Sequence, residues 1–206
     1  MTSAVAAPAM HLLLLDDEPT EIDLAALQGL WTEALYLRLS AQTNRLIEFT
    51  DGVIEVLPMP TLRHQRIARF LLLLLLPLLE ARGGEINFAA YSIQVRPDKY
   101  REPDLFAFLD RHDPRLQNDY GRGADLVIEI VSPDNPERDT VTKRADYAEA
   151  RIPEYWIVNP LAATITVLRL AGAAYVEHGV FQRGQQVTSA LLPELTVAVD
   201  AVLDAG

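Results

Sequence analysis

The sequence predicts a mixed α/β fold, a mixed β-sheet flanked by helices and preceded by an N-terminal helix and hairpin. Three observations carry this. Short runs rich in Val, Ile and Phe recur between turn residues from Glu85 onward. Leu62 to Ala81 and Arg138 to Ala150 carry apolar residues at helical spacing. The order helix, hairpin, helix, strands, helix, strands then implies a mixed sheet with helices against it.

The elements follow in turn. From Ile22 to Leu39, Leu24, Leu27, Leu30, Trp31, Leu35 and Leu39 recur as one face of a first amphipathic helix. Arg45 to Phe49 and Val53 to Leu57 are β-prone, and the Asp51-Gly52 pair between them supplies the positive φ of a tight hairpin. Pro58 and Pro60 end the second strand, Thr61 can cap, and Leu62 to Ala81 reads as a long apolar helix stopped by Gly83 and Gly84. Pro77 falls inside it and is a candidate kink. Glu85 to Phe88, Tyr91 to Arg96, Asp104 to Leu109 and Leu126 to Ser132 read as central strands. Arg138 to Ala150 is the second important helix, and Glu154 to Val158, Thr164 to Leu170, Ala174 to His178 and Leu195 to Val199 are further strands. Trp156 and Tyr155 are expected to fill the core.

The chain of 206 residues is half apolar, enough for one substantial core, so residues 21–206 are read as a single domain after a poorly ordered arm over 1–20. Cysteine is absent, which excludes disulfides and thiolate metal sites and favours a reducing, cytoplasmic setting. The longest apolar run, Phe70 to Leu79, is about half of the roughly 20 residues a spanning helix needs, so no membrane segment is expected. The first residues lack a basic region ahead of their apolar stretch, which argues against a secretory signal. Lys and Arg number 18 against 29 Asp and Glu, a net charge of −11 that opposes a general affinity for polyanions.

Chemistry concentrates in three residues. Asp104 follows Pro103 at the start of DLFAFL, where a strand end holds a carboxylate rigidly. Glu129 lies inside LVIEIVS, a segment that otherwise reads as a buried strand. An ionised carboxylate there is costly unless a cation or strong hydrogen bonds compensate it, and a divalent metal shared with Asp104 would do so. Lys143 lies on the following helix with Asp139 one turn before and Tyr147 one turn after, all on one face. Hard oxygen ligands suit Mg²⁺ or Mn²⁺.

The succession DGVIEV, PMPTLRHQRIARFLLLLL, REPDLFAF, ADLVIEIVSPDN and RDTVTKRADYAEARIPEYWIVNP, running from Arg45 to Leu170, resembles the Uma-two type restriction endonuclease family of the PD-(D/E)xK superfamily. The resemblance implies a restriction-endonuclease-like fold, Mg²⁺ dependence and DNA phosphodiester hydrolysis. It places Asp104 and Glu129 at the acidic motif positions and Lys143 at the relocated lysine, because Val131 stands where the superfamily has its usual lysine. Glu55 and His64, in matching segments, are candidates for a third metal ligand and a phosphate contact. A homodimer pairing two sites is expected for cutting two strands. The acidic composition keeps two other functions open: a non-catalytic nuclease-fold interaction module, and a hydrolase of small phosphate esters.

Overall fold

The computed structural model describes residues 11–14 and 20–206. Of the N-terminal arm read over 1–20, residues 1–10 and 15–19 lie outside the described residues, while His11–Leu14 (β1) pairs antiparallel with Thr20–Asp23 (β2). The first helix differs from the one read over Ile22 to Leu39. Its N-terminal part is the end of β2 and a short 3-10 turn at Leu24–Leu27, and the α-helix (α1) covers only Glu33–Ser40. Gly29 breaks the run at a φ of 87°. The amides of Gly29 and Trp31 donate instead to the carbonyl of Gly52 in the hairpin turn, at 2.7 and 3.2 Å. A Cβ on Gly52 would meet the Gly29 oxygen at 2.6 Å, so only glycine lets the two segments approach this closely. Thr32 then restarts the helix, its side chain accepting from the Leu35 amide.

The hairpin is as expected, with Ile47–Thr50 (β3) paired to Val53–Val56 (β4). It belongs to a four-stranded sheet completed by Ile93–Arg96 (β6) and Lys99–Arg101 (β7), in the order β4-β3-β7-β6. The polar β7 carries no period-two pattern and was not visible in the sequence.

Leu62–Glu80 (α2) begins at the Thr61 cap and contains Pro77 without ending there. Ile67, Leu71, Leu75 and Leu79, four residues apart, are fully buried on one stripe. Each such side chain contributes about 2 kcal/mol of burial.

The principal sheet has six strands in the order β12-β11-β10-β9-β8-β5. These are Glu85–Phe88 (β5), Leu105–Phe108 (β8), Leu126–Ile130 (β9), Glu154–Asn159 (β10), Thr164–Ala171 (β11) and Ala174–Gln182 (β12). β9 and β10 run parallel and the other neighbours antiparallel. Between β9 and β10 the chain crosses over through Arg138–Thr142, a π-helical turn, and Lys143–Glu149 (α3). Gln186–Thr188 (β13) and Thr196–Ala198 (β14) form a small ribbon, followed by Val199–Leu203 (α4).

Alternation along β9 sorts the core. Leu126, Ile128 and Ile130 pack on the α2 side with Trp156 and Val158, while Val127 and Val131 pack on the α3 side with Tyr147 and Tyr155. Glu129 has the parity of Val127 and Val131, so it points at α3. Among the described residues no helix is long and apolar enough to cross a membrane.

Candidate active site

Glu129 lies on an interior strand, flanked by β8 and β10, and is only 2 % exposed. Its Oε1 accepts from the Lys143 ammonium at 2.9 Å and from the Tyr147 hydroxyl at 2.5 Å. The spacing of four residues puts both donors on the buried face of α3. Lys143 is also 3.1 Å from Glu48 Oε1 and 3.6 Å from Asp139 Oδ1. The pair of Lys143 with Asp139 is therefore part of a buried cluster, where the exposed face of a helix could have given only a solvated ion pair.

Asp104 immediately precedes β8. The register Leu105↔Ile128, continued by one residue, places Asp104 opposite Glu129 on the same face. Its Oδ2 accepts from the Ile130 amide at 2.7 Å and meets His64 Nε2 at 3.0 Å. Thus Asp104 commits Oδ2 and Glu129 commits Oε1, and among the described residues neither Asp104 Oδ1 nor Glu129 Oε2 takes a hydrogen bond. This pair could share a cation.

Two further carboxylates belong to the cluster. Glu48 on β3 is buried, receives the Glu102 amide at 3.2 Å and lies 3.7 Å from Arg101. Glu102 is buried with its Oε2 unpartnered, as is His64 Nδ1. Sequence reasoning missed both. Glu48 carried the same signal as Glu129, a carboxylate between two large apolar residues, Ile47 and Phe49, in a β-prone run. Glu102, between Arg101 and Pro103, carried none.

Glu55 is placed apart. It faces Glu48 across the hairpin, but β4 is a sheet edge, its side chain is 47 % exposed, and it pairs with Arg138 rather than with Glu129 or Asp104. His64, Asp139 and Tyr147 do join the cluster. The π-helical turn helps assemble it: the Lys143 amide reaches back five residues to the Arg138 carbonyl, which brings Arg138 and Asp139 toward the side of α3 that carries Lys143.

Burial first, and the neighbouring charges second, shift the proton affinities of these groups. Burial pushes Glu129 well above the usual carboxylate range, with Asp104 and Asp139 adding to it against Lys143 and Tyr147. Burial raises Glu102 to about 7, aided by the charge of Glu48. Burial raises Asp139 to about 6, Lys143 working against Asp104 and Glu48. Burial alone would lower Lys143, but Glu129, Glu48 and Asp139 outweigh it and hold the ammonium charged. Desolvation likewise opposes His64, and the Asp104 bond overcomes it, leaving the imidazole raised.

The cluster forms the floor of a cavity of about 540 Å³. Asp104, Glu129, Glu102, Asp139 and Lys143 line its base, and residues of α2 and of the segment after β4 line its walls.

The site thus joins opposed acidic residues on neighbouring strands of a mixed sheet to a lysine on the crossover helix. The family described as "Putative restriction endonuclease", Uma2, matches residues 33–200, and the chain belongs to that family. Among solved structures, that of "a putative nuclease belonging to DUF820" from Anabaena variabilis ATCC 29413 superposes with a TM-score of 0.66 at 19 % identity. The match covers 82 % of this chain and 97 % of that one, and it bears out the fold. No curated protein matches.

Proposed function

We propose that the chain is a Mg²⁺- or Mn²⁺-dependent nuclease that hydrolyses a phosphodiester bond of DNA at Asp104, Glu129 and Lys143. The observation that carries this reading is the pair of opposed carboxylates, Asp104 and Glu129, each with one uncommitted oxygen beside the Lys143 ammonium. Family membership and the nuclease-like fold agree with it.

The residues fit such a cation. Among the described residues no three carboxylates or imidazoles converge into a closed cage. Magnesium commonly binds through only one or two carboxylates, keeping waters and substrate phosphate as its other ligands. The cluster also gathers Glu48, Glu129 and Asp139 around the one Lys143 ammonium, with Asp104 and Glu102 beside them, a surplus of carboxylates. A divalent cation relieves that surplus.

Bound between Asp104 and Glu129, the cation would supply a polarised phosphoryl oxygen and a more acidic water. The chain's own groups do the rest. His64 and the Ile130 amide orient Asp104 by fixing Oδ2. Tyr147 fixes Glu129 in the same way. Lys143, charged and held by three carboxylates, is preorganised to stabilise negative charge developing on the phosphoryl oxygens. The apolar layer of Val127, Val131 and Tyr155 behind the cluster keeps the local dielectric low, which strengthens these interactions.

Plasmid cleavage in Mg²⁺ or Mn²⁺ tests the reading, with Asp104→Ala and Glu129→Ala alongside. Nicking by the parent protein and its loss in both variants is the expected result; equal activity in all three refutes it. The net charge of −11 favours a second reading, a non-cleaving interaction module on the same fold. Calorimetry that detects no divalent-ion binding would select it.

A further inference from the structure

The acidic floor occupies only part of the 540 Å³ cavity, which lies within the roughly 300–1,000 Å³ of small-molecule sites and exceeds what a phosphate group fills. Its walls divide by chemistry. His64, Ala68 and Leu72 follow one another at four-residue spacing on α2, so an apolar stripe leads outward from the imidazole that touches Asp104. Met59, Leu62 and Phe88 stand at the wall with 63, 67 and 58 % of their surface exposed. Large apolar groups left in water around a polar floor mark a ligand with an apolar part.

The charges point the same way. Of the cations lining the cavity, Lys143 is held by three carboxylates and Arg138 by Glu55 and Asp134. Arg66 and Arg69, three residues apart on α2, form no ion pair among the described residues. Two guanidinium groups with no ion pair among the described residues suit two phosphates of one strand. Two such groups, in a chain of net charge −11, give only a weak hold on the many phosphates of a duplex.

We propose that the apolar wall receives an unpaired base while Arg66 and Arg69 hold the flanking phosphates, so that the preferred substrate is a single strand or a locally unpaired one. The proposal rests on the nuclease reading and names its substrate class. A base within a duplex reaches a pocket only by being flipped out of its stack, against the unstacking and unpairing energy, whereas an unpaired base docks on apolar side chains without that cost and irrespective of sequence. The acidic floor then faces the phosphodiester bond next to the docked nucleotide.

Binding is the test, because it is read separately from cleavage. Fluorescence anisotropy in Ca²⁺ would compare a labelled strand of about twelve nucleotides with its duplex and with the same strand carrying abasic residues. The single strand is expected to bind about tenfold more tightly than either. Arg66→Ala/Arg69→Ala, on an exposed helix face, should weaken strand binding about tenfold and reduce the salt slope by about 1.4. Ala68→Trp should fill the cavity and weaken the single strand while leaving duplex affinity unchanged. Equal affinity for the duplex, equal affinity for the abasic strand, or no binding of any strand overturns the proposal. Strand binding with this pattern but no cleavage of that single strand in Mg²⁺ refutes hydrolysis instead and leaves the nucleotide site standing.

Discussion

Glu129 and Glu154 are both carboxylates on adjacent interior strands, and both are buried, 2 % and 1 % exposed. Their surroundings are opposite. Glu154 uses both oxygens: Oε1 accepts from Trp156 Nε1 at 2.7 Å and Ser189 Oγ at 2.6 Å, and Oε2 accepts from the amides of Ala190 and Leu191 at 2.7 and 2.8 Å. Four neutral donors satisfy it, and it ties the segment before β14 to the sheet. Glu129 uses one oxygen, meets a lysine, and has Glu48, Asp104 and Asp139 crowded around the same ammonium and cavity. Burial of a carboxylate therefore does not separate the two. What distinguishes the two is whether the fold completes the hydrogen-bonding of the charge or leaves it open toward a cavity.

The sharpest way to break this contrast is to neutralise Glu129 in place and to remove the Glu154 carboxylate. Glu129→Gln is expected to lower nicking about a thousandfold, the scale of removing a preorganised charge from a reacting centre, while the thermal midpoint stays near that of the parent. Glu154→Ala is expected to do the reverse. Leaving four donors without an acceptor should cost about 3 kcal/mol, a fall of about 6–12 °C in midpoint for a domain of this size, with activity per folded molecule unchanged. A Glu154 variant that loses activity without losing stability would dissolve the distinction.

Tyr147→Phe removes one donor from Glu129 and keeps the ring packed against Tyr155. About a tenfold loss of activity is expected from this positioning group, recorded with the same plasmid assay. Lysine substitution at the centre should cost more, because Lys143→Met leaves Glu48, Glu129 and Asp139 facing one another uncompensated.

Smaller, and a measure of the crowding itself, is the response to pH. The folded-state value of Glu102 is raised from 4.5 to about 7 by burial and by Glu48. A raised carboxyl favours the folded state where it stays protonated, so its contribution is full below about 4.5 and is lost as pH rises toward 7. Glu102→Gln should therefore flatten the decline in stability of the metal-free protein between pH 5 and pH 8, as followed by thermal denaturation in EDTA. An unchanged pH profile would show that Glu102 does not feel the cluster.

The sequence made much of this legible and left out what depends on distant packing. Glu129, Asp104, Lys143 and Tyr147 were readable because strand alternation and the four-residue helical period each act locally. Choosing between Glu48 and Glu55 needed knowledge of which hairpin strand is the edge. The two are cross-strand partners on one face, yet β3 is interior and β4 is not. Glu102 owes its burial to contacts with β3, far from it in the chain. The first helix failed for a related reason: its apolar spacing was real, but hydrogen bonds from Gly29 and Trp31 to Gly52 hold that segment in a turn against the hairpin. Glu154 resembles Glu129 in sequence, flanked by a β-prone run, and only Ser189 and the following amides, thirty-five residues and more away, settle its role.

A crystal soaked in Mn²⁺ and examined by anomalous scattering addresses the centre most directly. The expected result is one peak between Asp104 and Glu129, touching both carboxylates, and none at Glu154. Absence of a peak at Asp104 and Glu129 at saturating Mn²⁺ would contradict the assignment of this cluster as a metal-dependent active site.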